Sequence, residues 1–245
     1  MLFSVDNPRI TAYNYADLWW DINPNILKKA VHMPKSNVYV YIHNDLADWE
    51  IGFVLPELNS GRFFKEGAIK YQVKTVGLTP DHIVTMGGLR ITPDVTVDEL
   101  SLDDAAMLIL PGGTTWQEPY HAPILEKAKL CAASGVAVAA ICAATMAIAE
   151  IGMLDNCKHT SNALELMKVY CPSYRGEAHY LDEPAVACGN LITASGIAPL
   201  EFAYQILKYL DVFSADTLDA WYKLNTTREA SYFFALLGSL SASSR

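Results

Sequence analysis

Apolar positions along the chain fall into short, dense runs. Val38-Tyr-Val-Tyr-Ile-His43 is β-branched and aromatic, while Ala105-Ala-Met-Leu-Ile-Leu110 and Val136-Ala-Val-Ala-Ala-Ile141 are apolar throughout. Uninterrupted runs of this length suit strands covered on both faces, as in a parallel sheet. Further strands are expected over Ile69–Val76, Ala185–Cys188 and Leu191–Ala194. Between them the pattern turns helical: Leu46–Leu55 behind an Asn44-Asp45 cap, His121–Ser134, a segment from Cys142 to Gly152, and one that ends at Tyr170. Pro199–Leu210 is amphipathic, with Ala203, Ile206, Leu207 and Leu210 on one face. The stretch Ile83–Val97, with Met86-Gly-Gly-Leu89 and Thr92-Pro-Asp94, reads as a hairpin-like insertion at one edge.

Strand, short turn and helix in alternation predict an α/β fold: a doubly wound, mostly parallel sheet with helices on both faces. Residues 1–36 show no strand alternation and read as an N-terminal arm or extension, whose Trp19-Trp20 pair favours packing; Met33 is an alternative start. The main domain is expected over 37–211. Beyond it, 212–245 reads as a C-terminal helical extension packed on the same domain, broken around Asn225-Thr-Thr227.

The 245 residues are 51% hydrophobic, enough for a large core. A formal net charge of −9 without any basic cluster argues against nucleic acid as a partner. The cysteines at 131, 142, 157, 171 and 188 are odd in number and lack a C-x-x-C pair, which points to reduced thiols in a cytoplasm. No secretory signal is read at the N-terminus. Leu130–Ala149 is uncharged but alanine-rich and interrupted by Ser134-Gly135, so it fits helix, strand and helix better than a membrane span. Histidines 43, 82, 121 and 179 make no metal-binding spacing with acidic residues, and no metal or cofactor is expected.

Cys142 sits where an apolar strand meets an alanine-rich helix. An isolated cysteine in such a run is ordinarily a buried small hydrophobe. Its position argues otherwise, because a strand-to-helix turn lifts the side chain above the sheet and a helix N-terminus favours the thiolate. Small residues at Ala140 and Ala144 leave room for a strained turn. Pro111-Gly112-Gly113 ends what is read as a neighbouring strand, so its N–H groups and that of Ala143 are placed to converge on one oxyanion. Glu50, on the first expected helix, is either a solvated carboxylate or one that reaches across the strand ends, and Asp45 and Asp48 compete for that role. His159 is either a surface loop histidine or a base and orienting partner for the sulfur.

The set His43-Asn-Asp-Leu-Ala-Asp-Trp-Glu50, Leu108-Ile-Leu-Pro-Gly-Gly113, Ala139-Ala-Ile-Cys142-Ala-Ala-Thr145 and Lys158-His159-Thr160 resembles the motifs of the DJ-1/PfpI family, within the class I glutamine amidotransferase-like superfamily. The resemblance covers roughly residues 37–211 and implies a flavodoxin-like fold and a homodimer. It implies catalytic roles for Cys142, Glu50 and His159, oxyanion or substrate-binding roles for Gly112, Gly113 and Ala143, and a small-molecule substrate. The Trp221-Tyr222 region resembles C-terminal extensions of bacterial amidotransferase-like and intracellular-protease-like members. Protease-like members carry histidine directly after the cysteine. Ala143 stands there instead, and the late His-x-Glu pair of glutaminases is absent near Pro199-Leu-Glu201. The expected activity is therefore a cysteine hydrolase of amidase or glyoxalase/deglycase type rather than a peptidase. The alternatives are an oxidative-stress sensor using the same cysteine and a binding protein without catalysis.

Overall fold

A computed structural model of the protein describes residues 35–242; the N-terminal arm expected at 1–36 lies almost wholly outside the described residues. The main sheet is built from β1 (Asn37–Tyr41), β2 (Gln72–Gly77), β5 (Val95–Thr96), β6 (Ala105–Leu110), β7 (Ala137–Ile141), β8 (Ala185–Cys188) and β9 (Leu191–Ala194), in the order β5-β2-β1-β6-β7-β9-β8. Every neighbouring pair is parallel except β8–β9, an edge hairpin in which Ala185 faces Ala194. The 83–97 stretch divides into a separate antiparallel hairpin, β3 (Ile83–Val84) with β4 (Arg90–Ile91), and the edge strand β5.

Alternation along the central strands assigns each face its core. Val38, Val40, Met107 and Ile109 face α1 (Val54–Ser60), α5 (Pro199–Tyr209) and α6 (Ala215–Thr227), which contribute Leu58, Phe202, Ile206 and Trp221. Tyr39, Tyr41, Leu108 and Leu110 face α2 (Ala122–Ala133), α3 (Ala143–Glu150) and α4 (Leu164–Tyr170) through Ile124, Ala128 and Ile148. Burial on both faces is why these strands are almost entirely apolar. The fold is flavodoxin-like, with helices on either side of a mostly parallel sheet and further helices at the C-terminus. Of these, α6 is tied to α1 by Trp221, whose Nε1–H donates to the buried Glu57 carboxylate at 3.1 Å, and α7 (Ala230–Ala242) follows a left-handed Arg228 (φ 63°) that breaks the helix beside the expected Asn225-Thr-Thr227.

One expectation is corrected. The helix read over Leu46–Leu55 is an isolated bridge at Leu46, a single 3₁₀ turn at Asp48–Glu50, and an α-helix that starts only at Val54. Asp45 does not cap it, because its φ of 60° turns the chain sharply instead. The apolar run Ile51–Leu55 carries helical spacing, but Leu46 pairs with Gly113 and Ala47 N–H bonds to the Gly112 carbonyl at 3.0 Å, so the chain follows the neighbouring loop before it coils.

The winding direction reverses between β1 and β6, since β2 and β5 extend one way and β7 and β9 the other. Loops after the two strands diverge there and leave a crevice at the C-terminal edge, the usual place for ligands in open α/β sheets.

Candidate active site

Three loops meet at that crevice, following β1, β6 and β7. The last is an elbow. Cys142 has φ 58° and ψ −129°, a conformation that a residue with a side chain adopts only when its surroundings enforce it. Enforcement comes from both sides: its N–H donates to the Ala194 carbonyl of β9 at 3.0 Å, and its carbonyl accepts from the Thr145 N–H at 3.0 Å and hydroxyl at 2.5 Å. Ser161 Oγ lies 2.6 Å from the same Thr145 hydroxyl. Fully buried Ala140 and Ala144 take up little space around the turn.

The loop after β1 brings Glu50 against this elbow. Its carboxylate is fully buried, and Oε2 accepts a 2.5 Å hydrogen bond from the Gly112 N–H. Oε1 makes no hydrogen bond of ordinary geometry among the described residues; the polar group it meets is the Cys142 thiol. Two glycines make the approach possible. A Cβ at Gly112 would lie 2.6 Å from Cβ of Cys142 and 2.7 Å from Oε2 of Glu50. A Cβ at Gly196 would lie 2.7 Å from Sγ.

Burial pushes the Glu50 carboxyl up to about 7, against the pull of the Gly112 N–H and the thiol. Burial and the negative charge of Glu50 likewise raise the Cys142 thiol, opposed by Nδ2–H of Asn162 and by the N–H of Ala143. The charged carboxylate thus disfavours the thiolate, while the neutral thiol favours the carboxylate by donating to it, and one proton can serve both.

Asn162, two residues beyond the Lys158-His159-Thr160 motif, belongs to the site. It donates to Sγ at 3.2 Å and accepts the Gly196 N–H at 2.8 Å, which fixes its amide orientation. Trp49 belongs to it as well; its Nε1–H donates to the Gly196 carbonyl at 3.1 Å. Both lie on loops whose approach to Cys142 has no local sequence signature. Together with Ser195, Ile197 and Pro199 they enclose a cavity of about 440 Å³ over the sulfur.

The oxyanion expectation divides. The N–H of Gly112 is committed to Glu50, so this residue holds the carboxylate rather than an oxyanion. The Gly113 N–H makes no hydrogen bond to a described residue, and the Ala143 N–H opens α3 beside the sulfur. Gly113 and Ala143 both line a second cavity, of about 630 Å³, whose lining does not include Cys142. Below Gly113 the buried ring of His43 packs so closely that a Cβ on the glycine would lie 2.5 Å from its Cε1, and His43, Thr115, His121 and Tyr41 form one hydrogen-bonded chain under the loop.

A sequence model of the DJ-1/PfpI family matches residues 36–209. The chain belongs to the DJ-1/PfpI family. It is 49% identical over 209 residues to the uncharacterized protease YoaZ of Bacillus subtilis, covering 85% of this chain and 100% of that one. It is 27% identical over 145 residues to the glutathione-independent glyoxalase DJR-1.2 of Caenorhabditis elegans, covering 57% and 74%. The crystal structure of a ThiJ/PfpI family protein from Bacillus anthracis superposes with a TM-score of 0.82 at 51% identity, covering 85% of this chain and 98% of that one.

Within this DJ-1/PfpI chain His159 is not brought to the sulfur. It is fully buried; Nδ1–H donates to the Cys157 carbonyl at 2.8 Å and Nε2 lies 2.6 Å from the Tyr174 hydroxyl. A ring with both nitrogens occupied ties the 157–162 turn to the loop after α4, which positions Asn162 indirectly. Among the described residues no group of three or more His, Cys, Asp or Glu side chains is arranged to hold a metal.

Proposed function

We propose that the protein is a cysteine-dependent hydrolase of amidase type acting on a small carbonyl substrate. The observation that carries this reading is the buried Glu50 carboxylate, with Oε1 unpartnered and turned to a thiol on a strained elbow. A carboxyl lifted to about 7 is matched to proton transfer near neutrality. Sγ of Cys142 attacks the carbonyl carbon while the thiol proton passes to Glu50. The N–H groups of Gly113 and Ala143 hold the oxyanion. Collapse expels the amine, which takes the proton back from Glu50, and water then cleaves the thioester. Ala143 has no side chain to serve as a base, so the proton route runs through Glu50 and not through a histidine at that position. The protease and glyoxalase names of the two relatives both denote reactions at a carbonyl.

Turnover of a panel of small amides, esters and 2-oxoaldehydes by the wild-type protein and by Cys142→Ala tests the reading. Turnover that disappears in the variant supports it; turnover that persists overturns it. A second reading draws on the same Oε1: a protonated Glu50 can donate to a sulfinate formed on Cys142 by peroxide. Mass spectrometry after mild peroxide then finds Cys142 modified before the other cysteines. Family resemblance adds a homodimer in the cytoplasm, which the mass of the protein in solution and its cellular distribution test.

A further inference from the structure

The cavity over Cys142 does not end at the sulfur. It shares Asn162, Ser195 and Ile197 with a neighbouring cavity of about 400 Å³, whose far side carries Asp182, Glu183 and Glu201. Among the described residues no Lys, Arg or His lines either space. None of the three carboxylates takes part in an ion pair among the described residues. Glu201 is held in place by the Tyr222 hydroxyl, which donates to Oε1 at 2.9 Å.

At the near end stands a fourth carboxylate, the fully buried Glu50, whose orphaned Oε1 would lie 3.3 Å from a Cβ on Gly196 in the cavity wall. Between the two ends the lining is mixed: Asn162 and Ser195 are polar, while Ile197, 94% exposed, and Pro184 offer an apolar surface for a hydrocarbon stem. Carboxylates without counterions at the end of a path that starts at a nucleophile set a charge preference. An anionic tail would meet like charge where it reaches Asp182, Glu183 and Glu201, and a cationic one would supply the missing partner there.

We infer that this site selects carbonyl compounds whose tail ends in an organic cation and rejects those whose tail ends in a carboxylate or phosphate. The inference rests on the reading of Cys142 as the reacting group, which fixes the end of the ligand that the carbonyl occupies.

Calorimetric titration of the full chain with three amides of equal length, the heat of binding separated from any heat of turnover, tests it: hexanamide, 6-aminohexanamide and adipamic acid. The expected order is 6-aminohexanamide about tenfold tighter than hexanamide, with adipamic acid weakest, the size of effect that three partly exposed carboxylates acting together can supply. In D182N/E183Q/E201Q, where the amide introduced by E201Q keeps an acceptor for the Tyr222 hydroxyl, the three affinities converge to within about twofold, and Glu183→Gln alone gives a partial loss. Equal or tighter binding of adipamic acid overturns the inference, as does absence of binding by 6-aminohexanamide. It is also overturned if the preference survives the triple variant or collapses in E118Q/E150Q, which alters the separate cavity lined by Gly113 and Ala143. Labelling of Cys142 by neutral iodoacetamide in the same proteins keeps the two readings apart. An inert thiol would sink the nucleophile, while the order of affinities stands or falls by itself.

Discussion

Asn162 donates its amide hydrogen to Sγ of Cys142 at 3.2 Å and is oriented by the Gly196 N–H, which it accepts at 2.8 Å. The bond favours the thiolate in a place where burial and Glu50 oppose it. Asn162→Asp keeps the shape, replaces the donor with a negative acceptor, and raises the thiol further. The expected result is alkylation by iodoacetamide slowed about tenfold at pH 7.5, with wild-type and variant rates converging in strong alkali where both thiols are ionised. A pH–rate curve that does not move would remove Asn162 from the account of the sulfur.

Glu50 makes stability depend on pH. Its carboxyl is raised from the usual 4.5 to about 7 by burial. A group whose folded value lies above its unfolded one contributes most below the unfolded value, and that contribution is lost as the pH rises through the folded value. The window is therefore pH 4.5 to 7, and above it the fold carries a buried, ionised carboxylate. Glu50→Gln retains an acceptor for the Gly112 N–H and removes the charge. Its stability advantage over wild type should widen by on the order of 2 kcal/mol between pH 5 and pH 8, read from urea unfolding at the two values. The same substitution relieves the repulsion on the thiol, so alkylation of Cys142 quickens while turnover falls about 100-fold or more for want of a proton acceptor. Alkylation and turnover falling together would contradict this division of roles.

The fold and the elbow are legible in the sequence because they are written locally. Ala137–Ile141 is apolar without interruption, Ala143–Glu150 is helix-forming, and a cysteine lies between them, so strand, turn and helix follow from adjacent residues. Glu50 sits on a different element from the one its spacing predicts, for the opposite reason. The apolar spacing of Ile51–Leu55 is genuinely helical, but what holds residues 46–50 is the bridge between Leu46 and Gly113, a partner 67 positions away that periodicity cannot see. Asn162 and Gly196 reach the sulfur only through the long-range packing of β7 against β9, and nothing in their own neighbourhoods announces it. His159 shows the converse: a motif residue can be recognised from sequence while its contacts, to Cys157 and Tyr174, are fixed by the tertiary structure.

Those contacts give His159 a measurable role. His159→Phe keeps the ring volume but leaves the Cys157 carbonyl and the Tyr174 hydroxyl without a partner in a buried place. The expected cost is roughly 1–3 kcal/mol of unfolding free energy. Cys142 alkylation should stay within about twofold of wild type, because neither ring nitrogen is directed at the sulfur. Alkylation slowed tenfold or more at undiminished stability would instead make His159 part of the reacting group.

Gly196 controls access to the sulfur by what it lacks. Its backbone does not occupy the left-handed region, so alanine is conformationally acceptable there, yet the added methyl would stand 2.7 Å from Sγ and 2.9 Å from Cβ of Cys142. Backbone atoms on both sides are pinned, the N–H by Asn162 and the carbonyl by Trp49, so the loop cannot easily retreat. Gly196→Ala should therefore cost about 1–3 kcal/mol of stability through overpacking and slow alkylation of Cys142 at least tenfold. Gly238→Ala is the matched control, since a Cβ there meets nothing within 4 Å and should leave the alkylation rate unchanged. If Gly196→Ala reacts as fast as wild type, reagents do not approach the sulfur across Gly196. The wall from Trp49 to Pro199 would then not be the entrance to the site.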